Sequence, residues 1–543
     1  EPANGRRAST TGTSRCGLTM THAFYATSPI YYVNGEPHIG HAYTTVVLDT
    51  LARYHRLAGD DTFFLTGTDE HGEKIADAAI ERGVSPQQVA DEISGAFRAT
   101  WDALGFSFDR FIRTTDEDHK RIVQQVLQKV YDTGEIYFQE YEGLYCIGCE
   151  RFLTDRDMLD GLCRDHERAP QQRKESNYFL RLTNQFEWLA GYINDHPDFI
   201  RPARYRNETL AMLRDESGLG DLCISRPKER LEWGIELPFD SGYVCYVWFD
   251  ALINYVTGIG YPDGPNFERY WGAAEHVIGK DILKPHAIFW PIMLKAAGLP
   301  MYQHLNVHGH WNVDGRKMSK TLGNVVVPEV MKDRYGFDAF RFFLLREMVF
   351  GLDANFTEEA LVGRINADLA NNLGNLVSRT LNMTARYADG VVPTPGEPDD
   401  LDREIQAAVA QTAQKVDTAV RSYEFHRALE HIFALLDQLN RYLETRAPWK
   451  AAKQPGAEEL VATTLYTSCE ALRSIALLLA PFLPDSAPVI LQRLGVPDAL
   501  DEARLPDDAT RWGVLEPGTP TQKGGPLFPR VELPETTSAA NKG

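Results

Sequence analysis

The chain has 543 residues, 43% of them hydrophobic, and a formal net charge of −20. That length can bury several cores and implies three or more structural units. The acidic balance argues against indiscriminate nucleic-acid binding, so any RNA contact needs local basic surfaces on an acidic body.

Residues 1–19 lack a clear hydrophobic signal core and read as a disordered extension before a body that begins near Met20. Residues 22–27 (HAFYAT) read as a strand, 27–37 as a loop, and 40–57 as a helix stopped by Gly59. Thr44, Val47, Leu48, Leu51 and Tyr54 lie along one face of that helix. Residues 62–66 (TFFLT) then form the next strand. Strand, helix, strand is the unit of a doubly wound parallel sheet, whose ligands lie at the carboxyl ends of the strands. His38-Ile39-Gly40-His41 and the segment 68–72 (TDEHG) both fall there. Gly40 leaves space for a nucleotide to pass close to the backbone, and His38 and His41 face the same way on a first helical turn. That turn offers unpaired N–H groups and a partial positive charge, which suits a phosphate. The first half of this nucleotide-binding domain occupies 20–133.

An insertion rich in cysteine, tyrosine and short strands follows over 134–241. Within it, Cys146-x2-Cys149 and Cys163-x2-His166 each present two ligands from one tight turn, a strong signature for a tetrahedral ion such as zinc. Four protein ligands leave no open position, so the expected role is structural. The other cysteines, Cys16, Cys223, Cys245 and Cys469, are scattered, which suits a reduced compartment and makes the cytoplasm the default.

The sheet is expected to resume over 242–310, with 243–250 and 276–278 as later strands. Residues 305–313 then lead into a lysine loop, Lys317-Met318-Ser319-Lys320-Thr321, within the region 311–360. Two lysines there complete a triphosphate clamp only if the fold returns them to His38 and His41. Beyond Asp353 the pattern is helical, and Leu429, Ile432, Phe433, Leu436, Leu439 and Leu443 recur at helical spacing in a domain over 361–516. Residues 391–398 form a Pro-rich loop between helices. The longest apolar run, 475–483, is too short to cross a bilayer and contains Pro481, so it reads as a buried helix end and no membrane partner is expected. The tail, 517–543, has little periodicity, with LFPR packing back onto the body. The fold class is therefore α/β: a Rossmann-like parallel-sheet catalytic domain split by a zinc-binding connective insertion, followed by an α-helical domain.

With these motifs in this order, the chain resembles the methionyl-tRNA synthetases, a family of class I aminoacyl-tRNA synthetases, from about Phe24 to about Glu532. HIGH and KMSKT match the class motifs, with Thr321 keeping the hydroxyl of the usual final serine. More specific are SPIYYVNGEPHIGHAY, TGTDEHG, VWFDALINY, IGKDILKPHAIFWP, GRKMSKTLGN, NNLGNLVSR and RAPWK. The resemblance implies a two-step reaction: adenylation of methionine by ATP, then transfer to the terminal ribose of tRNA. It implies catalytic roles for His38, His41, Lys317 and Lys320. ATP, accompanied by Mg2+, is then held by these residues with Gly40, Asp281, Met318, Ser319 and Thr321. It places L-methionine against Ile30, Tyr32, Asp69, Trp248, Ala251, Tyr255, Ile282 and His286. Asp69 takes the ammonium, and Tyr255 or His286 supplies one weak hydrogen bond to the sulfur. It makes the helical domain an anticodon-binding domain that reads RNA through Asn375, Arg379 and Trp449, and it matches the one-zinc-knuckle bacterial type. The implied partners are initiator and elongator tRNA(Met), served by a monomer. Relatives specific for isoleucine, valine or leucine usually carry a large editing insertion, and the insertion here is small. A cysteine-specific relative would use zinc to grip its substrate, and small-molecule adenylating ligases of related fold lack the long helical domain.

Overall fold

The structure is a computed structural model that describes residues 22–533, apart from 34, 148, 150, 154–156, 216–218 and 318–323. The expected extension 1–19 and the loop residues Met318, Ser319, Lys320 and Thr321 lie outside the described residues, as does the side chain of Lys317.

Seven parallel strands form the catalytic sheet: β1 (Ala23–Thr27), β2 (Tyr31–Tyr32), β3 (Asp61–Asp69), β4 (Arg110–Arg113), β5 (Ile200–Arg201), β6 (Ala274–Gly279) and β7 (His304–His308). The order is β5-β7-β6-β1-β3, with β2 and β4 both pairing with β3. β6 is buried along its whole length, as a central strand covered on both faces must be. Strand order reverses between β1 and β6, so the chain leaves their carboxyl ends in opposite directions and opens a crevice there. The helix α1 (Ile39–Leu57) follows β1 into that crevice, with Thr44, Val47, Leu48, Leu51 and Tyr54 all buried as its periodicity predicts.

Two expectations along the sheet need correction. Residues 243–250 are not a strand of the parallel sheet: Asp240–Cys245 pairs antiparallel with Ser225–Pro227 and Glu236–Leu237, and Val247–Leu252 is a helix. A short apolar run such as YVWFDAL cannot be assigned to strand or buried helix by periodicity alone. Residues 305–313 lead toward the lysine loop by way of two strands: after β7 the chain leaves the sheet, and Trp311–Val313 pairs with Ala354–Phe356 and Arg316–Lys317. Gly309 permits that exit, since a Cβ there would stand 2.2 Å from the Leu352 carbonyl oxygen. Finally, β5 arises within the expected insertion yet runs parallel to β7 at the edge of the catalytic sheet.

The insertion is built on two long antiparallel strands, Ile136–Cys146 and Gln171–Leu180, whose ladder runs from Ile136↔Leu180 to Tyr145↔Gln171. At its far end the hairpin Met158–Leu159 and Leu162–Cys163 carries part of the cysteine cluster. Downstream, the helices Asp400–Arg421, Phe425–Arg446 and Glu458–Leu479 pack together. Leu429, Ile432, Phe433, Leu436, Leu439 and Leu443 are buried among them. Residues 475–483 are indeed a buried helix end. The tail folds back: Asn366 exchanges two hydrogen bonds with the Val531 backbone, and Phe528 is buried. Among the described residues no helix is long and apolar enough to cross a membrane.

α1 also joins the two domains. Midway along it, Asp49 accepts a 2.6 Å bond from Arg341, and both side chains are fully enclosed. Near its end, Tyr54 donates to Asp417 of the helical domain at 2.7 Å.

Candidate active site

One cleft of about 1440 Å³ collects Ile30, Tyr32, His38, Gly40, His41, Asp69, Trp248, Ala251, Tyr255, Asp281, Ile282 and His286 on its walls. It opens at the carboxyl ends of β1, β3, β6 and β7, where the strand order reverses. Every predicted nucleotide and amino-acid residue outside the lysine loop is therefore brought together. The loop itself follows the strand Arg316–Lys317.

At the start of α1, His38 is the N-cap, with extended backbone, and its Nδ1 accepts from the Gly40 N–H at 3.1 Å. His41 Nδ1 accepts from the His38 N–H at 3.3 Å, and the two rings stack with centroids 3.8 Å apart. A ring nitrogen that accepts a bond carries no hydrogen, so in each ring Nε2 is the protonated nitrogen. The first turn thus contributes two side-chain donors, while its backbone N–H groups are already paired, Ile39 with the Val326 carbonyl and Gly40 with His38. His41 is held from behind by Tyr31, whose hydroxyl shares a 2.7 Å bond with Thr45.

Two further pairs in the cleft escaped the sequence reading. Thr44 lies 2.8 Å from His308 Nε2, while His308 Nδ1 donates to the Gly309 carbonyl at 2.7 Å, and burial pulls that ring down to about 4. His310 Nε2 stands 3.1 Å from Asp281 Oδ1. The backbone N–H of His310 donates to Asp353, which also binds Lys280 through both oxygens at 2.7 Å. The string His308-Gly309-His310 between a strand and the lysine loop was the signal available for them.

Across the cleft, Trp248, Ala251 and Tyr255 form an apolar wall. The Tyr255 hydroxyl lies 2.7 Å from His286 Nε2, and His286 Nδ1 lies 2.9 Å from the Ile282 carbonyl oxygen. A carbonyl only accepts, so Nδ1 carries the hydrogen and Nε2 accepts from Tyr255. Burial lowers the His286 pKa to about 4 and raises that of Tyr255, which keeps both groups neutral. In this arrangement both hydrogens are engaged within the wall, so a hydrogen bond to a thioether requires the Tyr255 hydroxyl to turn from His286. Selection by this wall rests on shape and on contact with polarizable sulfur. Asp69, nearly buried at the end of β3, is the carboxylate on the facing side.

The ligating atoms of Cys146, Cys149, Cys163 and His166 all lie within 4.8 Å of one another. Cys149 Sγ is 3.4 Å from Cys163 Sγ and 3.3 Å from His166 Nδ1, and Cys146 Sγ is 4.0 Å from that nitrogen. A tetrahedron with metal–sulfur bonds of about 2.3 Å and metal–nitrogen bonds of about 2.0–2.1 Å spaces its corners roughly 3.5–3.8 Å apart. The donor set therefore fits a closed zinc site.

In the helical domain, Asn375 and Arg379 sit one turn apart on the helix Asn375–Tyr387. The Arg379 guanidinium lies 5.5 Å from the centre of the Trp449 ring and donates to Glu444 at 2.6 Å. The predicted trio thus shares one surface of the helical domain.

Residues 24–168 and 157–381 match the family described as tRNA synthetases class I (M), and residues 402–523 match the anticodon-binding domain of tRNA ligase. The methionine–tRNA ligase of Deinococcus radiodurans is 46% identical, over 96% of this chain and 77% of the relative. That of Caldanaerobacter subterraneus is 42% identical, over 96% of this chain and 81% of the relative. Among solved structures, Mycobacterium tuberculosis methionyl-tRNA synthetase in complex with methionyl-adenylate superposes with a TM-score of 0.89 at 40% identity, covering 94% of this chain and all of that one. On fold, site and sequence alike, the chain belongs to the methionyl-tRNA synthetases of class I.

Proposed function

We propose that the cleft activates L-methionine with ATP and passes it to initiator and elongator tRNA(Met), each residue acting as follows. The single observation that carries this reading is the convergence, in one crevice, of a donor-rich helix start, the carboxylate of Asp69 and the apolar wall of Trp248, Ala251 and Tyr255. Asp69 holds the substrate ammonium while the wall and Ile30, Tyr32, Ile282 and His286 enclose its side chain. This turns the methionine carboxylate toward the start of α1. Its oxygen attacks the α-phosphorus of ATP, the bond to the β-phosphate oxygen breaks, and pyrophosphate leaves. A terminal ribose hydroxyl of tRNA then attacks the acyl carbon and releases AMP. No covalent bond to the protein is needed, so the gain comes from positioning and charge. His38 and His41 donate to phosphate oxygens, Lys317 and Lys320 close from the loop with Met318, Ser319 and Thr321, and Gly40 and Asp281 border the nucleotide. Mg2+ bound with ATP offsets phosphate charge. Exchange of labelled pyrophosphate into ATP, measured against a panel of amino acids, should respond to methionine alone; a stronger response to another amino acid would reject the reading.

Zinc on Cys146, Cys149, Cys163 and His166 is structural in this account. Cys149→Ser should release about one metal ion per chain and loosen the insertion while ATP still binds. Elemental analysis of gently purified protein reads this directly, and a metal content unchanged by the substitution would remove the site.

The helical domain is the anticodon reader. An indole stacks on an unpaired base, while an amide and a guanidinium reach base edges. Trp449→Ala should cost roughly 1–3 kcal/mol in tRNA affinity and leave tRNA-independent adenylation at the parental rate. Parallel loss of both activities would mark Trp449 as a packing residue. In this reading the enzyme acts as a cytoplasmic monomer.

A further inference from the structure

Asp250 is fully buried on the helix Val247–Leu252, the segment that carries Trp248 and Ala251 to the cleft. At 3.6 residues per turn, Asp250 points away from Trp248, so it takes no direct part in lining the pocket. Two histidines grip it instead. His71 Nδ1 donates to Oδ2 at 2.6 Å, and His119 Nε2 donates to Oδ1 at 2.8 Å. The three residues come from separate segments: the turn after β3, the helix Glu117–Asp132 that follows β4, and the helix after the insertion. All three are buried. His119 Nδ1 is enclosed with no hydrogen-bond partner among the described residues, so a ring displaced or turned over finds no substitute for its bond to Asp250. Asp250 is kept ionised: burial alone would raise its pKa, but the facing His71 and His119 hold it below the usual carboxylate range.

The spacing gives this cluster a purpose beyond packing. His71 is two residues from Asp69, and Asp250 is two residues from Trp248. The bond between His71 and Asp250 therefore fastens the segment carrying the substrate-facing carboxylate to the segment carrying the apolar wall. The wall helix needs such a fastening. It has only six residues, no side-chain cap, and it follows a strand of the antiparallel sheet Ser225–Pro227, Glu236–Leu237 and Asp240–Cys245. Asp250 is the one charged side chain in that helix.

We propose that Asp250, clamped by His71 and His119, is a positioning residue for amino-acid recognition, setting the separation between Asp69 and the Trp248 wall. The proposal rests on the functional reading above. Its signature is selective. The clamp acts on the amino-acid half of the cleft, so loosening it raises KM for methionine and spares the nucleotide half at the start of α1. Asp250→Asn keeps the shape but presents an N–H to a histidine that already donates. It should raise KM for methionine about tenfold, with KM for ATP and kcat at saturating methionine within about twofold of parental. His119→Leu should do the same, whereas His119→Gln retains a donor and should return toward parental KM. The histidine pair keeps the test decisive if Asp250→Asn fails to fold. A parental methionine KM in either Asp250→Asn or His119→Leu overturns the assignment, as does a parallel change in both KM values and kcat, which marks a general structural role. Should the parental protein exchange with an amino acid other than methionine, the functional reading falls, and the clamp is judged on KM for that amino acid.

Discussion

Arg341→Met is expected to destabilise the folded chain by about 3–5 kcal/mol, the cost of breaking a buried ion pair from one side. The arginine is fully enclosed, donating to Asp49 at 2.6 Å, to Thr50 at 3.1 Å, and to the carbonyls of Pro481 and Phe482 at 2.9 and 3.2 Å. Asp49 is equally buried and also accepts from Arg53 and from the backbone and hydroxyl of Ser107. Methionine fills much of the space but abandons a buried carboxylate and two carbonyls. A second change, Asp49→Leu, should recover part of the loss, because an apolar pair of similar volume often replaces an ionic one at little cost. The effect also depends on pH. Burial pushes the Asp49 pKa up, but Arg341 and Arg53 outweigh it, so the folded value lies below the unfolded one. The pair's contribution is therefore complete above the unfolded pKa of about 3.9 and fades as pH falls through the folded value. Urea unfolding at neutral and acidic pH should show the gap between parent and Arg341→Met narrowing in acid. A gap under about 1 kcal/mol at neutral pH would show that the pair carries little of the joint between the domains.

His41→Ala should slow methionine-dependent adenylation on the order of 10²–10³-fold, corresponding to about 2.7–4 kcal/mol of transition-state stabilisation. The reasoning follows from the ring's hydrogen bonds. With Nδ1 accepting from the His38 backbone, Nε2 carries the hydrogen of a ring that lines the cleft and is held in place before substrate arrives. A donor held in advance needs no reorganisation when charge grows on the phosphate, which is why its loss falls on kcat rather than on substrate affinity. Methionine binding measured by calorimetry should stay near the parental value, because Asp69 and the apolar wall are untouched. If methionine affinity falls as far as the rate does, His41 is holding the fold of the pocket rather than the reaction.

What the sequence made legible were the features whose physics is local. The helix after β1 announced itself by period and by its glycine stop, and the cysteine and histidine pairs by a spacing that only a metal rewards. The expected sites in the cleft lie together because motif and strand end coincide, as at His38 and at Asp69. Where the reading failed, the deciding interactions were distant in sequence. Nothing within 243–250 says that Cys245 ends a strand and Val247 begins a helix; that is decided by pairing with Ser225–Pro227 and by the hold of His71 and His119 on Asp250. Likewise β5 contributes two residues to the catalytic sheet, too few to leave a pattern, and its place next to β7 is set by tertiary packing. At Tyr255, too, residue type shows a donor but not the neighbour it engages, here His286.

The long ladder of the insertion has an evolutionary corollary. Because Ile136 lies opposite Leu180, the chain departs from the catalytic body and comes back at neighbouring points, like a stalk with both ends rooted in one place. The far end of such a stalk, metal knuckle included, is set apart from the roots by the ladder between them. The tip also borders the cleft, through Cys149 and His166. Lineages that lengthen or trim it would therefore reshape the approach to the reaction centre while inheriting the sheet beneath it unchanged.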